Sequence, residues 1–390
     1  MRLFIEPLDV LFFRDGKPFA AGEAHMAQSL FPPTALTFQG AIRTAILAAS
    51  GIDVQRYQTV QDGAEDTDAL ALVAEIGGAA TFGRLRLRGP FVATMPTDSA
   101  QTASAEAWYP CPADVVTSRK ARAGLLTRLR PFEEPAWTSD LPLEMSSPWA
   151  FGRAWVETAR GFLSQPDLEH YLAGEVPTAV WPENTFVVRE PRLGIALAGR
   201  RKVADEGKLY TIEMLRLRAD DGRRVGFILD VEGTARLPRK GLLALGGERR
   251  AATYECIEER LFPTSSGVVE AIQRSRRFLL YLATPAIFES EPRWLPDFIE
   301  ADSLSGTWQG ITIKIISVAA GRPMPIGGWD LARGHPKAML PAVPAGSVYW
   351  CEVVSGTGEA VVQGFHGQCL SSRLAEIGFG LTFVGRWPHV

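Results

Sequence analysis

Lysine is scarce in this chain: only 7 of its 41 basic residues are lysine. Positive charge therefore rests on arginine, whose planar five-donor fork suits phosphates and stacked bases. Codon usage in a GC-rich genome gives the same bias without any ligand. Charge of one sign is also missing, since the formal net charge is -3, and the chain as a whole is no high-pI nucleic-acid sponge. Cysteine amounts to Cys111, Cys256, Cys351 and Cys369. With no C-x-x-C pair, neither a zinc site nor a disulfide framework is indicated, and reduced core thiols are expected. The five histidines, His25, His170, His335, His366 and His389, are scattered, and none sits at metal-ligand spacing from another. There is no apolar run near the ~20 residues of a membrane span and no signal-peptide core behind Met1, so a soluble cytoplasmic protein without a membrane partner is expected. G-x-S-x-G, P-loop and dinucleotide fingerprints are absent, which removes the sequence grounds for a nucleotide cofactor or a small-molecule substrate.

What is present suits a folded protein of 390 residues with 46% hydrophobic content, long enough for two domains with separate cores. Arg2-Leu3-Phe4-Ile5-Glu6-Pro7 reads as a strand ended by proline, and Asp15-Gly16 as a turn. Apolar residues at 35, 38, 42, 45 and 46 predict a helix, in which Gly40 suggests close approach of another backbone. Arg84, Arg86 and Arg88 share one face of a strand that is either solvated or phosphate-binding, with solvation the simpler reading. Between Val115 and Phe132 stand Arg119, Lys120, Arg122, Arg128 and Arg130 with no acid, a loop with the best local electrostatic footprint in the chain. Two strand runs near 186–197 and 207–217 are joined by Arg200-Arg201-Lys202.

Two stretches share one grammar. Lys240 to Leu245 predicts a short leucine-rich helix, followed by Gly246-Gly247 and a strand from Arg249 to Ile257. Cys369 to Ala375 predicts an amphipathic helix, followed by Gly378-Phe379-Gly380 and a strand to the C-terminus. A short helix is expected near Leu295–Leu304, and a loop over 321–345. Each half parses as βαββαβ, so the expected class is α+β: two ferredoxin-like (RRM-like) domains with glycine-rich loops and long insertions, 1–260 and 261–390.

Seven motifs in order carry a resemblance that runs from end to end. They are Phe4-Ile5-Glu6-Pro7-Leu8-Asp9-Val10-Leu11-Phe12-Phe13-Arg14-Asp15-Gly16; Phe31-Pro32-Pro33 with Gly40-Ala41-Ile42-Arg43; Glu190-Pro191-Arg192-Leu193-Gly194-Ile195-Ala196-Leu197; Leu245-Gly246-Gly247-Glu248-Arg249-Arg250; Tyr281-Leu282-Ala283-Thr284-Pro285; Pro344-Ala345-Gly346-Ser347-Val348-Tyr349-Trp350; and Gly378-Phe379-Gly380. Together they resemble the third subunits of type III-B (Cmr) CRISPR effector complexes, repeat-associated (RAMP) proteins with paired ferredoxin-like domains. The resemblance implies a non-catalytic, cofactor-free subunit. It would hold the repeat-derived 5′ tag of the CRISPR RNA and dock on the large polymerase/cyclase-like subunit and the first backbone subunit.

The candidate RNA contacts combine both readings. Glycine lets a main chain approach an RNA backbone, and nearby arginines supply charge and stacking surface. They are Arg14, Lys17, Gly40, Arg43, Arg119, Lys120, Arg122, Arg192, Arg201, Lys202, Gly246, Gly247, Arg249, Arg250, Trp329, Lys337, Gly378 and Gly380. Against them stand helix caps, tight turns and surface salt bridges. The rival from another class is a metal-independent endoribonuclease processing CRISPR transcripts, for which His366 is the candidate acid or base near the last glycine loop. A scaffold touching only protein is the third reading.

Overall fold

The computed structural model describes residues 1–14, 26–61, 63, 65–78, 81–97, 105–118, 125–132, 145–150, 155–198, 203–218, 222–258, 262–264, 267–330 and 335–387. It divides into two units, Met1–Ala105 with Asn184–Glu259 and Pro325–Leu340, and Glu106–Glu183 with Arg260–Met324 and Pro341–Val390. The expected division near 260 is therefore a chain boundary within an interleaved arrangement. Residues 106–183, read as part of the first domain, fold with the second half, and residues 325–340 fold with the first.

In the first unit the strands Arg86–Pro96, Arg223–Glu232, Arg2–Pro7, Arg250–Ile257 and Lys240–Leu245 lie side by side in that order. The first strand is central, flanked antiparallel by 223–232 and 250–257, which is the split order of a ferredoxin-like sheet. Helix Ala35–Ser50 covers one face: Phe38 meets Phe227 edge-on at 5.2 Å and stacks on Phe13 at 6.4 Å. Each such buried ring contributes about 1.5–3 kcal/mol by burial, and each pair a further ~0.5–1.5 kcal/mol. Thr34 occupies the N-cap position in extended conformation, but its side chain makes no capping bond. Residues 54–76 hold two helices, Val54–Gln61 and Thr67–Ile76.

Lys240–Leu245 is a strand, not the expected helix. Leu243 and Leu245 are buried while Leu242 and Ala244 are exposed, a period of two that overrode leucine's helix preference. The four residues between Gly241 and Gly246 are too few to nucleate a helix unaided. A long antiparallel ribbon, Val187–Ala198 with Val203–Leu217, completes this unit beside Met26–Ala27.

The second unit repeats the split order with strands Ile311–Ala319, Val348–Ser355, Arg277–Leu282 and Thr382–Gly385 adjacent in that sequence. Helix Gly358–Phe365 is capped by Thr357, which accepts from the Ala360 amide. It lies against helix Val268–Ser275, where a Cβ on Gly358 would stand 2.6 Å from the Val269 carbonyl oxygen. No helix forms near Leu295–Leu304; turns and the short strands Ile299–Glu300 and Ser305–Trp308 stand there, with Phe298 packed on Trp308 and Phe365. Residues 369–374 are not helical either. Ser371 bonds both the amide and the carbonyl of Ile287, the competition by which serine draws a backbone away from a helix. Within 321–345, expected to be all loop, the short strands Met324–Ile326, Trp329–Asp330, His335–Pro336 and Leu340–Ala342 form. No single described helix is long and apolar enough to cross a membrane.

The second face of this sheet is covered by described residues of 106–118 and 155–183. Tyr281 stacks on Phe383 at 6.3 Å, Tyr109 and Tyr171 close over them, and the Tyr281 hydroxyl donates to the Pro110 carbonyl at 2.6 Å. Beneath lies a buried ion pair: Arg128 Nε to Asp114 Oδ2 at 3.1 Å, with the guanidinium 3.8 Å over the Tyr171 ring and donating to the carbonyls of Tyr171 and Glu175. Burial pushes the Asp114 carboxyl above its ordinary range and Arg128 pulls it partly back. Arg128, counted from sequence in a basic loop, is thus a core residue on strand Leu126–Arg128.

Removing one partner of a buried pair strands the other charge. Arg128→Met should cost about 3–5 kcal/mol of unfolding free energy in urea titration, and adding Asp114→Asn should restore part of it; additive losses in the double variant would contradict the pairing.

Candidate nucleic-acid interface

The two glycine loops are closed devices. Gly378, Phe379 and Gly380 are buried. Their amides donate to the carbonyls of Ala375, Leu374 and Pro285, and the Leu381 amide donates to the Thr284 hydroxyl. A Cβ on Gly380, at φ +72°, would stand 2.4 Å from the Ser371 nitrogen. The glycine serves close approach to the protein's own chain, and each amide from 378 to 381 already has an acceptor within the chain. Gly246-Gly247 shows the same arrangement. The Gly247 amide donates to the Phe12 carbonyl at 2.7 Å, and a Cβ on Gly246, at φ +77°, would meet that carbonyl oxygen at 2.6 Å. The close backbone expected at Gly40 is not there: its helical Cβ position has nothing within 4 Å.

The basic candidates separate into groups. Arg43 is occupied internally, donating to the Tyr57 hydroxyl at 2.6 Å and to the carbonyls of Gly77 and Gly78, so it ties the first helix to the end of the third. Arg84 and Arg86 are exposed beside buried Leu85 and Leu87, and Arg88 pairs with Glu232 at 2.7 Å, the solvated reading of that strand. Arg14 is exposed at a bridge to Ser29. Lys337 is exposed, with its amide bonded to the Gly328 carbonyl, in the turn of chain that holds the paired Trp329 and Pro336. Lys17, Arg119, Lys120, Arg122, Arg201 and Lys202 lie outside the described residues.

Three candidates are brought together by the tertiary structure: Arg192, Arg249 and Arg250. Arg192 sits on the 187–198 strand and donates to Glu190 at 3.2 Å. Glu190 also takes Arg216 of the neighbouring strand, Arg216 reaches Asp9 Oδ1 at 3.3 Å, Asp9 Oδ2 faces Arg250 at 3.9 Å, and Arg250 pairs with Glu248 at 2.5 Å. Arg249 is exposed in the same turn, which takes a left-handed backbone at Glu248 (φ 58°) and Arg249 (φ 48°). Hydrogen bonds from Arg216 hold Glu190 below the usual carboxylate range, and the Val10 amide together with Arg216 does so for Asp9. Sequence reasoning missed Arg216 and Asp9. Their only link to Arg192 and Arg250 is strand register, in which Val188 faces Arg216.

His366 caps the C-terminal end of helix Gly358–Phe365. Its Nδ1 accepts from the Val384 amide at 3.2 Å and its Nε2 stands 3.1 Å from the Pro263 carbonyl. Both ring nitrogens are therefore engaged, and a neutral Nε2–H tautomer satisfies both partners. Burial lowers its pKa from the ordinary 6.5. Among the described residues no group of three His, Cys, Asp or Glu is placed to hold a metal.

Two split-order antiparallel sheets, each backed by helix on one face, define a protein of paired ferredoxin-like domains, the architecture of repeat-associated proteins. Residues 3–387 match the family described as CRISPR-associated protein (Cas_Cmr3), and the chain belongs to that family, a subunit type of type III-B CRISPR effectors. In fold it is similar to a chain of the type III-B Cmr-beta complex bound to cognate target RNA, determined by cryo-electron microscopy, with 16% identity, coverage of 98% of this chain and 96% of that one, and a TM-score of 0.52. A second such chain, from the complex bound to cognate target RNA and AMPPnP in state 1, gives 16% identity, coverage of 97% and 95%, and a TM-score of 0.50. No curated protein matches the sequence.

Gly380→Ala should lose about 1–3 kcal/mol of stability from its left-handed φ alone, whereas Gly40→Ala should gain ~0.5–1 kcal/mol; paired denaturant melts check both signs. The lowered His366 pKa makes its contribution complete above pH 6.5 and lost as pH falls through the folded value. A His366→Gln variant should therefore show a flatter stability profile than the parent between about pH 7 and pH 5.

Proposed function

We propose that the chain is the non-catalytic RNA-holding subunit of a type III-B CRISPR ribonucleoprotein. In this reading it grips the repeat-derived 5′ tag of the CRISPR RNA and docks the large polymerase/cyclase-like subunit and the first backbone subunit. The observation that carries the reading is the family match over residues 3–387. The similarity to chains of complexes described as bound to target RNA supports it. In this reading the grip is made by side chains and not by main chain. The amides of Gly247, Gly378 and Gly380 are spent internally, and the second face of the C-terminal sheet, where an RRM stacks bases, is buried under Tyr109 and Tyr171. Exposed basic side chains, Arg249 foremost with Arg192, Arg14, Lys337 and the half-buried Arg250, are among the described means of meeting phosphate.

The processing-nuclease alternative has less support, because its histidine is engaged at both nitrogens. Crosslinking of the assembled particle should place this chain at the tag end of the guide, and crosslinks confined to the spacer would count against the proposal. The purified chain should bind single-stranded RNA weakly, with affinity falling as salt rises by a logarithmic slope of about 0.7 per phosphate contacted. It should leave repeat RNA uncut; cleavage that disappears in His366→Ala would favour the nuclease. Arg249→Glu should reduce RNA occupancy, and lost assembly with unchanged occupancy would point to a pure scaffold.

A further inference from the structure

Asp9 lies just after the first strand and offers one carboxylate oxygen to each of two arginines on different strands, Oδ1 to Arg216 at 3.3 Å and Oδ2 to Arg250 at 3.9 Å. Bridging two guanidiniums through two oxygens is what a phosphodiester does between paired arginines. On either side the alternation continues, with Glu190 between Arg216 and Arg192 and with Glu248 on Arg250. Three arginines are thus cancelled by three carboxylates of the same chain.

The stability of the fold does not explain this arrangement. Asp9 is 53% exposed and Arg216 46%, and ion pairs this wet contribute little to folding. Beside them a shallow open groove, lined by Glu6, Pro7, Leu8, Asp9, Arg216 and Val225, gives an incoming group room to reach the bridge.

We propose that Arg216 and Arg250 form a phosphodiester site for single-stranded RNA, which Asp9 occupies as an internal phosphate mimic until RNA displaces it. Exchange of one singly charged oxyanion for another leaves the guanidiniums paired throughout. An exposed carboxylate carries no burial penalty into water when it leaves. Only a ligand with several phosphates, contacting Arg249 and Arg192 as well, competes well against an intramolecular carboxylate. The site therefore discriminates against isolated phosphate in favour of a polynucleotide. This inference rests on the RNA-holding reading given above and specifies where and how it operates.

The test is fluorescence anisotropy of the full chain with a short labelled single-stranded RNA, across a salt series. Asp9→Asn keeps the shape and removes the charge. It should bind about three- to tenfold tighter at low salt, with a logarithmic salt slope steeper by about 0.7 for one added phosphate contact. Adding Arg216→Gln to Asp9→Asn should abolish both gains. Unchanged affinity and slope in Asp9→Asn, with Arg249→Glu still weakening binding, would overturn the mimic and leave the RNA-holding reading in place. Absence of binding by the parent and by Asp9→Asn at about 50 mM salt would overturn both. Thermal melting of Asp9→Asn within a few degrees of the parent shows that the change reports the site and not the fold.

Discussion

The burial of the second face of the C-terminal sheet governs much else in this protein. Tyr281 on Phe383, closed over by Tyr109 and Tyr171 with Arg128 and Asp114 beneath, commits residues 106–183 to that face as structure. A ferredoxin-like sheet left open there can stack bases. Here the aromatic side chains are spent on one another, and Arg128, which reaches Tyr171, is spent on the buried Asp114.

The same economy runs through the glycine loops. A glycine at positive φ beside a foreign backbone reads equally well as a ligand cradle and as a packing device. At Gly380 and Gly246 the foreign backbone belongs to the protein itself, at Ser371 and Phe12. Around the 246–249 turn and the base of the long ribbon, the guanidiniums of Arg192, Arg216 and Arg250 are paired with carboxylates of the same chain. A protein with formal net charge -3 can still present arginines to RNA if their partners are exchangeable.

Each unit keeps a different one of the two helices expected of a βαββαβ order. The first retains the helix after its opening strand and places strand Lys240–Leu245 where the second would stand. The second retains Gly358–Phe365, while helix Val268–Ser275 comes from before its opening strand. The split order of the strands survives both exchanges, because strand pairing is set by main-chain bonds and alternating burial, whereas a covering layer needs only an apolar surface of the right size.

By itself the sequence determined what is local and periodic. The opening strand, the 35–50 helix, the solvated arginine face at 84–88, the ribbon strands and the α+β order follow from apolar spacing and turn residues, and the end-to-end motif order was enough to point to the family. Short leucine-rich or serine-rich segments misled, because Lys240–Leu245 and Cys369–Ala375 take their conformation from neighbours far along the chain. The candidate site was legible only in part: Arg192, Arg249 and Arg250 stand in recognisable motifs, while Asp9 and Arg216, 207 residues apart, meet through strand register alone. Whether a glycine amide is free, a histidine engaged or an arginine already paired depends on contacts between distant residues, and only the tertiary structure decided those.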